Sequence, residues 1–471
     1  MKCFIKGLAI LSIALKAVSA DSEVTCSEDS HCPEDKPCCN QYGTCGSGSF
    51  CLGGCNPKFS YKKEACMPLP ACQNSETVFS NYKSKLASAY TYLGDYTKAN
   101  WTYEGYPMDY DDENALILAM PKNSGGTVLS STRYVWYGNV KARFKASHGG
   151  GVVSAFIMFS SVQDEIDYEW VGVDTQKVQT NWYWQGALNY TNSKNLTATS
   201  YDDDYHVYEI DWKEDAVTWL VDGQPGRTLF KNETYNETSK QYNYPQTPAR
   251  IQLSIWPGGN ATNAPGTIAW AGGLIDWDSQ DIQENGYYYS IVESVNITCY
   301  DPPAGVKKNG TQVYQYTGDD DYMEGGVFLS NANTVLKDYD NSGLDDNTPD
   351  KKSSSSSSSS SATKTSSSSS SASTSSSKSD SKSQTQTQAK SSSTTESNEG
   401  HQADNSSAVS ETAESTSSSS SAAVTGFVQN MATASASGST TASGSPSKAA
   451  GSNNTPFSFG MSLVSLLFFF I

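Results

Sequence analysis

Core-forming residues are confined to one stretch of this chain, and that confinement limits its fold more than any other feature. All ten tryptophans of the 471 residues lie between Trp101 and Trp277. Beyond about Asp350, aromatics and large aliphatics almost vanish until the final residues. A sizeable core is therefore possible only upstream, where about 250 residues carry enough apolar side chains to close one domain. Within that stretch the runs Tyr134–Phe144, Gly151–Phe159, Glu165–Val173, Val178–Tyr183, Tyr205–Trp212, Ala216–Val221 and Arg250–Trp256 are rich in β-branched and aromatic residues. Turn formers such as Asp222-Gly223 and Pro257-Gly258-Gly259 separate them. Many short strands with little helical periodicity predict an all-β sandwich or jelly roll over residues 72–300.

The flanks cannot join that core. Residues 1–20 read as a signal peptide: a basic start, the apolar Gly7–Leu15, and small residues Val18-Ser19-Ala20 before a cut. Residues 21–71 hold a cysteine module too small to bury enough area without cross-links. Residues 301–350 are acidic and Gly/Asn-rich, an acidic linker to which no structure is assigned. Residues 351–450 are dominated by Ser, Thr and Ala, a composition that precludes a core and suits a disordered, O-glycosylated stalk; a disordered linker without sugars fits equally. Residues 451–471 follow the layout of a glycosylphosphatidylinositol (GPI) attachment signal, small residues before an apolar tail. Phe457–Ile471 would span about 22 Å as a helix, short of the roughly 30 Å of a bilayer core.

Charge and cysteine usage narrow the function. The formal net charge of -18 repels phosphate backbones, so nucleic acid is not an expected partner, whereas neutral polysaccharide is indifferent to it. His31, His148, His206 and His401 are scattered without HxxxH or HxH spacing, so neither a metal site nor a cofactor is expected. Apart from Cys3, nine cysteines lie between Cys26 and Cys72 and one at Cys299, a density that belongs to oxidising compartments. Asn100, Asn189, Asn195, Asn232, Asn236, Asn260, Asn296 and Asn309 each head an Asn-X-Ser/Thr triplet, predicting solvent-facing glycosylation sites of a secreted chain.

The chemistry points to Asp164-Glu165-Ile166-Asp167-Tyr168-Glu169. Alternate side chains of a strand share a face, so Glu165, Asp167 and Glu169 oppose Ile166, Tyr168 and Trp170. Three acids in a row are either solvated or gathered in a cleft. Retaining glycoside chemistry uses two carboxyls, a nucleophile and an acid/base, and clustered like charges split their pKa values. Tyr134, Trp136, Trp182, Trp184, Trp256 and Trp270 supply flat surfaces for sugar rings or, taken singly, core packing.

Asp164–Glu169 resembles the E-x-D-x-E signature of glycoside hydrolase family 16. The resemblance extends through Gly138–Arg143, Gln179-Thr180-Asn181, Tyr205–Trp212, Val221-Asp222-Gly223, Ser254-Ile255-Trp256 and Gly272-Gly273-Leu274. These segments are similar to plant xyloglucan transglycosylases and, more closely, to the fungal Crh family of chitin–glucan crosslinking enzymes. The resemblance implies a curved β-jelly roll in which Glu165 is the nucleophile, Asp167 its helper and Glu169 the general acid/base. It further implies Gln179, Asn181, Trp256, Trp270 and Tyr134 as substrate-binding residues, with chitin as donor and β-glucan or chitin as acceptor. A monomer, GPI-anchored at the cell surface and wall, is the matching expectation.

The cysteine module resembles a hevein-type chitin-binding domain. That resemblance implies the pairs Cys26–Cys39, Cys32–Cys45, Cys38–Cys51 and Cys55–Cys66, leaving Cys72 and Cys299. Its binding face would comprise Asn40, Tyr42 and Phe50, with Thr44 where the family has an aromatic. A structural knot without chitin affinity is the alternative. For the whole chain, a hydrolase on the same fold and a non-catalytic wall adhesin also fit the motif.

Overall fold

The computed structural model describes residues 23–319 and 322–348. The signal peptide, the Ser/Thr stalk and the GPI-attachment signal lie outside them. Two eight-stranded sheets pack face to face. The front sheet runs, in spatial order, Lys194–Thr197, Lys177–Tyr183, Glu165–Val171, Val152–Ser160, Ala249–Pro257, Thr127–Val135, Trp101–Glu104 and Leu86–Ser88. Only the last pair is parallel. The back sheet runs Gln224–Phe230, Ala216–Val221, His206–Trp212, Gly138–Lys145, Tyr287–Cys299, Ala115–Pro121 and Tyr106–Tyr110, with Ser75–Val78 also pairing to Tyr287–Cys299.

Period-2 alternation builds the space between them. Val140, Ala142 and Phe144 of the back sheet face Ile166, Tyr168 and Trp170 of the front sheet within one buried cluster. Phe144 and Trp170 lie 5.1 Å apart between centroids, and Trp170 meets Tyr208 edge-on at 4.5 Å. Asp222 and Gly223 both take positive φ, 51° and 76°, closing the tight hairpin between Ala216–Val221 and Gln224–Phe230.

The run expected as one strand, Tyr134–Phe144, is two. Thr127–Val135 belongs to the front sheet and Gly138–Lys145 to the back. The chain crosses between them at Trp136-Tyr137, with Tyr137 at φ 61°. Apolar content does not interrupt at this corner because both aromatics are buried in it, Tyr137 against Trp212 and Trp136 against Tyr314. Periodicity therefore carries no sign of the break.

Five disulfides join Cys26–Cys39, Cys32–Cys45, Cys38–Cys51, Cys55–Cys66 and Cys72–Cys299. The last links the entry to the sandwich with the end of its longest strand. The segment read as an acidic linker carries structure. Val313–Tyr316 pairs with both Val327–Ser330 and Leu69–Pro70. Further on, Leu336 is buried among Cys38, Cys51, Leu52, Cys55, Ala65 and Met67. Gly48 N–H donates to Asn341 O and Gly343 N–H to Ala65 O, both at 2.8 Å. Gly48 is needed there: at φ 61°, an added Cβ would lie 2.1 Å from Tyr339 O. This segment clasps the cysteine module to the sandwich.

Candidate active site

The strand Glu165–Val171 is the third of the front sheet, and its inward side chains tie it to the back sheet. Tyr168 Oη donates to Leu220 O at 2.8 Å, and Trp219 Nε1 donates to Asp167 O at 3.0 Å. The alternation then forces Glu165, Asp167 and Glu169 onto the opposite face. They are not solvated there: Asp167 is 1% and Glu169 4% exposed, and Glu165 is partly buried. Acids buried on the outer face of a sheet require walls, so they lie in a trough.

Register sets what surrounds them. Across the strands, Glu165 is level with Tyr183, Phe159 and Arg250; Asp167 with Asn181, Ile157 and Gln252; Glu169 with Gln179, Ala155 and Ser254. Trp256 follows in the next row beside Val153. Trp270, from the short helix Pro265–Trp270, stacks on Trp256 at 6.0 Å and 23° and donates its Nε1 hydrogen to Gln179 Oε1 at 2.9 Å. Asn181 Nδ2 donates to Tyr183 Oη at 2.7 Å. Gln179, Asn181, Trp256 and Trp270 are thus brought to the acids. Trp136 is in the core, with its Nε1 on Gln246 O, and Trp182 packs against the core from its edge. Tyr134 is also buried, its hydroxyl accepting the Gly54 N–H at 2.8 Å from the cysteine module. It braces that module and presents no face to a sugar, which corrects its reading as a substrate platform.

Electrostatics divide the acids into two protonation roles. Burial first, then the charge of Glu165, raises Glu169 to about 8. Its Oε1 has no hydrogen-bond partner among the described residues, so nothing holds a charge there. Burial, then the charges of Glu165 and Glu169, raises Asp167 well above the carboxylate range. Like charges this close in a buried site disfavour ionisation of all three, so Asp167 is driven toward its protonated form beside Glu165. Near neutral pH the strand thus offers one carboxylate and one protonated acid. That pair can attack a carbon and protonate its leaving oxygen.

Asp164 belongs to neither role. It accepts hydrogens from Gln185 N, Gln246 N, Thr247 N and Thr247 Oγ1 at 2.7–3.1 Å, pinning two loops to the start of the strand. Burial still raises it to about 6. Tyr183 was missed from sequence. Its hydroxyl is raised by burial and then by Asp167, Glu169 and Glu165, which places it among the acids. Continuing the alternation of Gln179 and Asn181 by one step would have found it.

In the cysteine module, the residues of the expected binding face each carry a local structural contact. Asn40 Oδ1 accepts the N–H groups of Tyr42 and Thr44, at 3.0 and 2.9 Å, and so shapes its own turn. Phe50 covers Gly46, whose added Cβ would lie 2.6 Å from the ring, and it packs on the module core. Tyr42 turns toward the sandwich. The sulfurs of Cys26, Cys32 and Cys39 cluster closely enough to suggest a metal, but each is in a disulfide and offers no thiolate. The eight sequon asparagines named above, from Asn100 to Asn309, are at least partly exposed.

Comparison with known proteins adds the family context. Residues 95–272 match the pattern of "Glycosyl hydrolases family 16". The chain is 53% identical over 338 residues to "Congo red hypersensitive protein 2" of Saccharomyces cerevisiae, covering 72% of each. It is 50% identical over 342 residues to "Crh-like protein 2" of Aspergillus fumigatus, covering 72% of this chain and 76% of that one. Among solved structures, "Apo Crh5 transglycosylase" is 29% identical with a TM-score of 0.45, covering 56% of this chain and 95% of that one.

Proposed function

The chain belongs to the Crh-like proteins of glycosyl hydrolase family 16, and from that premise we propose that it is a retaining transglycosylase that cuts chitin and joins the released end to β-glucan. The observation that carries this reading is three acids on one face of a strand, Asp167 and Glu169 buried and Glu165 partly so, a setting that raises Glu169 and Asp167. Glu165 attacks the anomeric carbon of the donor while Glu169 gives its proton to the leaving oxygen. The glycosidic C–O bond breaks, and an ester to Glu165 forms. Asp167 donates its proton as a hydrogen bond to Glu165, fixing its rotamer and moderating its charge. The acceptor hydroxyl then loses its proton to Glu169 and displaces Glu165, restoring both acids. Two inversions at one carbon retain the configuration.

Gln179, Asn181, Trp256 and Trp270 act as substrate-binding residues along the trough. An ordered acceptor outcompetes water through its effective concentration. Five disulfides and eight surface sequons support export, and with the tail read from sequence we place the protein, lipid-anchored, at the cell surface.

The test is incubation of residues 21–350 with chitin oligomers and fluorescent glucan oligomers. Fluorescence appearing in longer, mixed chains is the expected result. Only shortened chitin products would assign the enzyme to hydrolysis. Undiminished transfer by Glu165→Gln would remove the acid strand from the reaction.

A further inference from the structure

The face that carries the acids continues to a second polar cluster where the cysteine module meets the front sheet. Pairing across four strand contacts puts Glu104 in the row of Glu169, through Ala155, Ser254 and Val128. Arg250 lies in the row of Glu165, two strands away, or about 10 Å at the usual strand spacing. From the module, Gln41 Oε1 accepts hydrogens from both Arg250 Nη2 and Gln252 Nε2. Gly53 allows this approach, because an added Cβ there would lie 2.5 Å from Arg250 Nη1. Burial and then the Glu104 charge push the Tyr42 hydroxyl well up, while Arg250 opposes them. Burial likewise raises Glu104, again against Arg250. Tyr42, next to Gln41, therefore lies within electrostatic reach of both Arg250 and Glu104, and Tyr90, at 52% exposure, within reach of Glu104.

A seam serving only to glue two units together would pair its buried donors. Here Arg250 Nε is buried with no hydrogen-bond partner among the described residues. An unpaired donor beside tyrosine rings is equipment of a site for polyhydroxylated, uncharged rings. We propose that Gln41 and Tyr42 of the cysteine module, with Arg250, Glu104 and Tyr90, form a subsite of the catalytic trough. One β-linked glycan then lies across both the acid strand and the module. The module is a wall of the active site, and its Tyr42 edge grips the chain being processed. This rests on the trough being the glycan site proposed above, and it adds which end is read and by what.

The test uses residues 21–350 carrying Glu165→Gln, so that binding is measured by calorimetry without turnover. One arm takes chito-oligosaccharides and the other gluco-oligosaccharides, each as a series of increasing length. In one arm, affinity should rise at the length that reaches Arg250, which tells whether donor or acceptor occupies the subsite. Tyr42→Ala should remove that gain, about three- to tenfold, and leave short oligomers unaffected; Tyr42→Phe should keep most of it. Tyr90→Ala, at an exposed position outside the seam, should lower the same gain without disturbing the docking. Both alanine variants retaining the full length dependence in both arms would overturn the subsite. So would a loss confined to retention on insoluble chitin. Failed transfer by the unmodified enzyme, with the length dependence intact, would instead count against the transglycosylase reading alone.

Discussion

Glu169 shows how one burial decides a reaction. Its carboxyl, raised to about 8, is protonated through the neutral range, and activity should decline as pH rises through about 8. The same shift acts on stability. A carboxyl raised above its ordinary 4.5 contributes stability fully below that value and loses it as pH climbs to the folded-state pKa, on the order of 5 kcal/mol in all. Glu169→Gln should therefore abolish transfer yet flatten the fall in melting temperature between about pH 5 and 8, measured by calorimetry. A fall as steep as the parent's would locate the buried charge elsewhere. Asp167 is predicted to act as a donor to Glu165, so Asp167→Asn, which keeps an N–H, should retain at least about tenfold more activity than Asp167→Ala. Equal losses would mean that its charge, not its proton, matters.

At the scale of elements, the acid strand was legible and its neighbours only partly so. Ile166, Tyr168 and Trp170 enter the core and the three acids leave it, as strict alternation requires. What lies across from each acid depends on register between strands distant in sequence, such as Gln252 beside Ile157. Hydrophobic pattern does not encode that offset. Aromatic residues were the least readable, since Trp136 and Trp256 look alike in sequence yet one fills a corner of the core and the other packs with Val153, Ala271 and Trp270 on the face of the acids. Trp270 is held at the rim by its stacking on Trp256 and its bond to Gln179, so Trp270→Ala should raise KM about three- to tenfold with little change in kcat. A kcat defect of equal size would give the indole a part in the transition state.

At the scale of the whole molecule, the acidic stretch after residue 300 organises the rest. Its strand at Val313–Tyr316 seats beside Leu69–Pro70, and Leu336 completes the apolar centre of the cysteine module. Leu336→Ala should cost about 2–5 kcal/mol in that module. Proteolysis between residues 26 and 66 should then precede unfolding of the sandwich; unchanged protease resistance would mean the disulfides alone hold the module. Cys72–Cys299 closes a loop of 227 residues, for which chain entropy predicts about 5 kcal/mol. Replacing both cysteines by serine should lower the melting temperature of the sandwich while leaving the four module disulfides intact.

Composition and alternation by themselves determined where a core can exist, that it is built of strands, and which three acids share a face. Those properties are local, set by the two-residue period of a strand and the distribution of apolar side chains. The partners of the acids, the brace at Tyr134, the clasp beyond residue 300 and the docking of Gln41 onto Arg250 came only with the tertiary structure. Apart from the acids' hairpin neighbours at 155–159 and 179–183, each depends on contacts between segments more than sixty residues apart, and no local period records which distant segment a side chain will meet.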